Sequence, residues 1–356
     1  MSRTLVVCID GTWNAPGQID KDAVDGTETR TLTNVAKTWQ AITGMALDKE
    51  RPHGTIGDLQ SGNGWAIYLN GVGSTGTKLG KLYEGASGTG TSERIRDAYR
   101  FLAERWTDGD KIYGFGFSRG AFAIRSLSGF IETVGLPKKS GLVKDDELYD
   151  LYGKYKERSV TAMPSWNQRV DLEFLGIWDT VGALAFGNTF NNYHNISPRN
   201  VNRVFHALAL DEFRSQFFPD LFISDGRNQR VLETWFAGAH TNVGGGYVDE
   251  NLSNIALFWI LNKANVCGLK LNLPAITGWY GESVDGVRRP SYNEFWGEIP
   301  AIGELVERVG LGRKQRVCLP HQFVHESVIE AMTNGYCPNA SVQSGNWSSR
   351  IEAWGV

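Results

Sequence analysis

The chain has 356 residues, enough for a large core, and its 41% hydrophobic and 21% charged residues exclude wholesale disorder. Lys+Arg 36 against Asp+Glu 39 give a net charge of −3, which excludes a general nucleic-acid binder, because phosphate contacts need a basic surface. No apolar run reaches the roughly 18 residues of a spanning helix, and the N-terminal one meets Asp10 too early for a signal peptide, so the chain reads as cytoplasmic when synthesised. Cys8, Cys267, Cys318 and Cys337 lie far apart without a CxxC pair, so they read as reduced thiols and not as a disulfide framework or a zinc site.

The first predicted strand, Leu5–Ile9, is β-branched and stops at Asp10-Gly11-Thr12. A polar stretch over 14–64 follows, with one predicted helix around Thr33–Thr43. Next come a strand at Ala66–Leu69 and a Gly-rich loop. A helix from Ser92 to Trp106 carries Ile95, Ala98, Tyr99, Leu102 and Trp106 at helical spacing, with Ser92 as its N-cap. The third strand, Lys111–Phe117, runs into Ser118 and an apolar helix over Ala121–Ile131. A charged insertion occupies about 137–168. The fourth strand, Val170–Trp178, ends at Asp179. A helix is expected over Val201–Asp211, then a strand at Val231–Phe236 that leads to His240 and three glycines, then a helix over Leu252–Ala264. Residues 270–316 are rich in Gly, Pro and Trp and read as irregular. Alternating strands and helices predict an α/β fold with a mostly parallel sheet flanked by helices. A single domain over residues 1–356 is expected, its insertions at about 137–168 and 270–316 forming a lid or cap.

Gly116-Phe-Ser-Arg-Gly120 matches the G-x-S-x-G nucleophile elbow and stands between a strand and a helix, as that motif requires. A serine on a sharp turn needs glycines two positions to either side, so that strand and helix can approach. Serine is a weak nucleophile without a base, and the base needs a carboxylate to hold its tautomer. Among six histidines, His240 follows a strand end, where α/β sheets place catalytic groups; His325 is the alternative base. His53 and His194 sit in polar loops, and His206 reads as structural. Asp179, at another strand end, is the candidate acid, and an Asx-turn is the competing reading. The order Ser118, Asp179, His240 is that of hydrolase triads on this architecture. Oxyanion donors are expected from the N–H of Arg119 and from Gly11 or Thr12. This chemistry calls for no cofactor and no metal.

With these blocks in place the chain resembles a family of bacterial and fungal α/β-hydrolase-like domains that includes a group of type VI secretion lipase (phospholipase) effectors. The resemblance rests on Ile9–Asn14, Gly71-Val-Gly73, Gly114–Phe122 with Arg125-Ser-Leu127, Gly176–Ala183, His206–Glu212 and Gly238–Tyr247. It implies an α/β-hydrolase-like fold, a Ser-Asp-His triad at Ser118, Asp179 and His240, and a lipid or phospholipid acyl ester as substrate. It further implies an antibacterial effector with peripheral membrane contact, a secretion-machinery or immunity-protein partner, and export without a signal sequence. Asn242 stands where the family usually has aspartate. Trp279, Tyr280, Tyr292, Phe295 and Trp296 would suit the rim of an acyl groove, or would seal a sheet edge.

Two other readings compete. Asp10-Gly11-Thr12 is shared with aspartyl phosphatases, but Cys8 occupies the position of their nucleophilic carboxylate. Gly85–Ser92 mimics a phosphate loop, with Thr91 in place of its lysine. A catalytically silent hydrolase fold acting as a binding or toxin-delivery module, or a hydrolase of small non-lipid esters, would be the alternative functions.

Overall fold

Strand β1 (Thr4–Ile9) is buried at every position after Thr4 and sorts its side chains by alternation. Val6 and Cys8 enter one apolar core, while Leu5, Val7 and Ile9 enter another. A strand wetted on neither face belongs inside a parallel sheet, and the computed structural model of the chain places it there. The structure describes residues 2–12, 14, 16–47, 53–72, 89–139, 143–182, 199–222, 230–271, 283–289, 314–319, 321–338, 341–342 and 351–352.

In chain order, β1 is followed by a hairpin of β2 (Gln18–Lys21) and β3 (Glu28–Thr31), then α1 (Asn34–Thr43), β4 (Thr55–Asp58) and β5 (Gly64–Leu69). Next come α2 (Thr89–Arg105), β6 (Lys111–Phe117), α3 (Arg119–Val134), β7 (Leu136–Pro137), α4 (Asp145–Lys156) and β8 (Asn167–Gln168). The second half holds β9 (Leu172–Trp178), β10 (Val201–Ala209), β11 (Val231–Phe236), α5 (His240–Gly244) and α6 (Asn251–Val266). Last are β12 (Val317–Cys318), β13 (Phe323–His325), α7 (Glu326–Thr333), β14 (Ser341–Val342) and β15 (Ile351–Glu352). Among the described residues, nine strands form the central sheet in the order β15-β13-β11-β10-β9-β6-β1-β5-β4. Every pairing in it is parallel except that of β4 with β5. Helices cover both faces. Val35 and Trp39 of α1 join Ile255, Ala256 and Trp259 of α6 on one side, and Ile95 and Leu102 of α2 join Ile124 and Leu127 of α3 on the other.

Two expectations are corrected. The segment over Val201–Asp211 is not a helix: Val201–Ala209 is strand β10, between β9 and β11. Buried Val201, Val204 and Leu208 imitate helical spacing because a strand covered on both faces need not alternate. Helix α2 begins at Thr89, so Ser92 lies inside its first turn and is not its N-cap. The insertion at about 137–168 is ordered by α4, whose Tyr152 and Tyr155 rings pack on Phe130 of α3, and by the β7–β8 pairing at its base. Most of 270–316 lies outside the described residues, and so do His194, Trp279, Tyr280, Tyr292, Phe295 and Trp296. Among the described residues no helix is long and apolar enough to cross a membrane.

Candidate active site

Strands β1, β6 and β9 are neighbours, so their carboxyl ends, carrying Asp10, Ser118 and Asp179, open at one edge of the sheet. Ser118 is the hinge between β6 and α3, with φ 56 and ψ −123, a left-handed backbone uncommon for a residue with a Cβ. The elbow glycines make this turn sterically feasible. A Cβ on Gly120 would sit 2.1 Å from the Ile9 carbonyl oxygen, and one on Gly116 would sit 2.6 Å from that of Gly120. The Ser118 N–H donates to the Trp178 carbonyl at 3.0 Å, which ties the turn to the strand that ends at Asp179. Arg119 opens α3 and is buried, its guanidinium lowered to about 10 by desolvation.

Asp179 is wholly buried and also left-handed, at φ 38. Its Oδ2 lies 2.6 Å from Nδ1 of His240, the first residue of α5. The imidazole is held between Phe117, at 4.5 Å between ring centres, and the edge-on ring of Phe217, at 5.0 Å. Burial pulls the His240 pKa below its ordinary value, against the opposing pull of Asp179.

His325, His206 and His53 are engaged elsewhere. His325 ends β13 and caps α7: its Nδ1 accepts from the Ser327 N–H at 3.2 Å and pairs with the Ser327 hydroxyl at 2.8 Å. Its ring stacks on Phe236, and burial lowers it to about 3. His206 is buried in β10; its Nε2 accepts the Thr180 N–H at 3.1 Å, so Nδ1 carries the proton towards Glu233, 3.1 Å away. His53 pairs with Asp97 at 3.2 Å on the surface.

The loop after β1 faces the elbow, since a Cβ on Gly11 would lie 3.1 Å from the Ser118 Cβ. Of the two alternatives for the donor there, the Gly11 N–H is already given to its neighbour, the Asp10 Oδ1, at 2.7 Å. The buried Thr12 Oγ1 has no partner among the described residues. Asp10 also accepts the hydroxyls of Thr33 and Tyr68, at 2.6 and 2.5 Å, and burial raises its carboxyl to about 6 despite these three donors. Among the described residues no group of three or more His, Cys, Asp or Glu is arranged to hold a metal ion.

Residues 3–263 match the family described as type VI secretion system phospholipase effector, Tle1-like, catalytic domain. The chain belongs to this Tle1-like family. An uncharacterized protein of Saccharomyces cerevisiae is 30% identical over 179 residues, 42% of this chain and 26% of that protein. A solved structure of an uncharacterized protein from Pseudomonas aeruginosa is similar with a TM-score of 0.46 and 18% identity, over 76% of this chain and 46% of that one. A Tle1 effector solved bound to the VgrG spike gives a TM-score of 0.44 and 16% identity, over 88% of this chain and 81% of that one. The chain thus spans about a quarter of the yeast relative and under half of the Pseudomonas one.

Where other Tle1-like chains are expected to carry aspartate, Asn242 uses both ends of its amide. Its Oδ1 accepts the Ala239 N–H at 3.2 Å and its Nδ2 donates to the Val287 carbonyl at 3.0 Å, a bond that a carboxylate cannot make. Two charged residues at the site, Arg214 and Arg316, carry no sequence signal. Arg316, beyond the matched region, grips Asp179; Glu212 accepts the His240 N–H at 3.3 Å and is itself gripped by Arg214 at 2.8 Å through two nitrogens. Glu212 does fall within the block that carries the resemblance, whereas Arg316 sits in a stretch read as irregular.

Proposed function

We propose that this chain is a serine hydrolase of lipid acyl esters, a phospholipase-type effector that works through Ser118, His240 and Asp179. The observation that carries the reading is the 2.6 Å bond between His240 and Asp179 at the sheet edge where the strained Ser118 elbow stands. Asp179 accepts from Nδ1, which leaves the Nε2 lone pair free to take the Ser118 proton. Ser118 Oγ then bonds to the acyl carbon, and the carbonyl π pair moves onto oxygen. The N–H groups of Arg119 and Thr12 serve that oxyanion, and Thr12 is preferred to Gly11 because the Gly11 N–H is occupied. Collapse expels the alcohol, which takes the proton from His240, and water repeats the sequence to release the acid. The chain is read as one domain, with the insertion at about 137–168 as a candidate lid. Family membership supports a phospholipid substrate and export by a secretion machinery.

A fluorophosphonate probe should label Ser118 alone, and His240→Ala should abolish labelling while His325→Ala retains it. A chain-length series of p-nitrophenyl esters separates the substrate classes. Activity rising beyond acetate and above the lipid's aggregation point supports a lipase, and strict preference for acetate supports a small-ester hydrolase. No labelling and no turnover would leave a silent binding module.

A further inference from the structure

Asp179 has a second partner that the serine mechanism does not require. Arg316 is 1% exposed and meets the carboxylate fork to fork, Nη1 on Oδ1 at 2.6 Å and Nη2 on Oδ2 at 2.9 Å. The same two nitrogens donate to the carbonyls of Ala209, at 2.7 Å, and Phe217, at 2.6 Å, so the guanidinium is itself fixed by backbone. Oδ1 also accepts the Ala209 N–H at 2.9 Å, and Oδ2 takes His240. A carboxylate offers about four in-plane acceptor sites, and here all of them are filled. Asp179 therefore cannot turn about its terminal torsion without breaking several bonds at once.

We propose that Arg316, contributed from beyond the matched residues 3–263, is a positioning residue of the hydrolase that clamps Asp179 and keeps His240 in its neutral, proton-accepting form. This rests on the triad reading. Held ionised, Asp179 can only accept, so the His240 proton must reside on Nδ1 and Nε2 stays free for Ser118. The second effect is one of charge. Asp179 with Arg316, and Glu212 with Arg214, are two nearly neutral pairs beside the imidazole. His206 pairs with Glu233 behind Thr180, Asp211 accepts the Gly238 N–H and the Tyr336 hydroxyl, and Arg119 opens α3. Protonating His240 therefore adds a charge that Asp179, already shared with Arg316, offsets only in part, and burial favours the neutral ring. Burial alone would raise the Asp179 carboxyl; Arg316, with His240, outweighs it and holds the group well below the usual carboxylate range.

The test is the pH dependence of Ser118 phosphonylation by a fluorophosphonate probe in the wild type, Arg316→Gln and Arg316→Lys. Removing the cation favours the imidazolium, so the acidic limb of Arg316→Gln should move up by about one pH unit, a relative slowing that reaches about tenfold on the acid side of the wild-type limb and vanishes near pH 9. Arg316→Lys keeps a charge but not the fork, so its limb should stay near that of the wild type while labelling slows about tenfold at every pH. A uniform loss in Arg316→Gln with the limb unmoved would make Arg316 merely structural and overturn the clamp. If Arg316→Gln does not fold, the Lys variant decides, since wild-type labelling rates in it would refute the need for the fork. Wild-type protein that is never labelled at Ser118 would sink the triad reading and the clamp with it; labelled wild type with unaltered variants sinks the clamp alone.

Discussion

Glu212 is the residue whose ionisation can be read most directly as stability. It is 1% exposed, and burial alone would raise its carboxyl; the Arg214 guanidinium outweighs burial and lowers it from 4.5 to about 2. A folded pKa below the unfolded one gives stability that is fully present above about pH 4.5 and is lost as pH falls through about 2. Glu212→Gln removes the buried carboxylate that Arg214 grips through two nitrogens, so it should cost about 3 kcal/mol at neutral pH. Its urea midpoint should approach that of the wild type near pH 2, and parallel curves at pH 7 and pH 2 would contradict this account. The same side chain accepts the His240 N–H, so the loss should loosen α5 against β10 and slow Ser118 labelling as well.

At the scale of elements, the elbow depends on how closely α3 descends on β1 and β6. Gly120→Ala would press a methyl group to 2.1 Å from the Ile9 oxygen, and should cost about 3 kcal/mol or more in urea unfolding. Gly153 in α4 is the control, because nothing lies within 4 Å of its added Cβ. Gly153→Ala should stabilise by about 0.5–1 kcal/mol through helix propensity alone. Equal effects at the two positions would show that the close approach does not matter. Such contacts explain what could be read beforehand. Gly116 and Gly120 flank Ser118 within five residues, and Asp179 and His240 each end an apolar run, so local pattern locates them. Strand β10 was misread because a doubly covered strand carries no alternation, and the hairpin β2–β3 was hidden in a polar stretch. Arg316 had no local signature at all. Its meaning lies in a carboxylate 137 residues away, which periodicity cannot reach.

For the whole molecule, that separation sets an order of assembly. Synthesis releases the N-terminal part first, so a growing chain can hold Ser118, Asp179 and His240 in place before Arg316 emerges. Until then Asp179 has no cation to offset its burial, and the sheet lacks β13 and β15, which pair beside β11. Closing contacts over such distances is slow compared with forming helices. During refolding from urea, far-ultraviolet circular dichroism should recover before reactivity at Ser118 towards a fluorophosphonate, with the lag set by docking of the C-terminal segment. Simultaneous recovery would mean that the site forms without its last piece. A lag would mean an interval in which the newborn polypeptide is already compact while Ser118 is still unreactive.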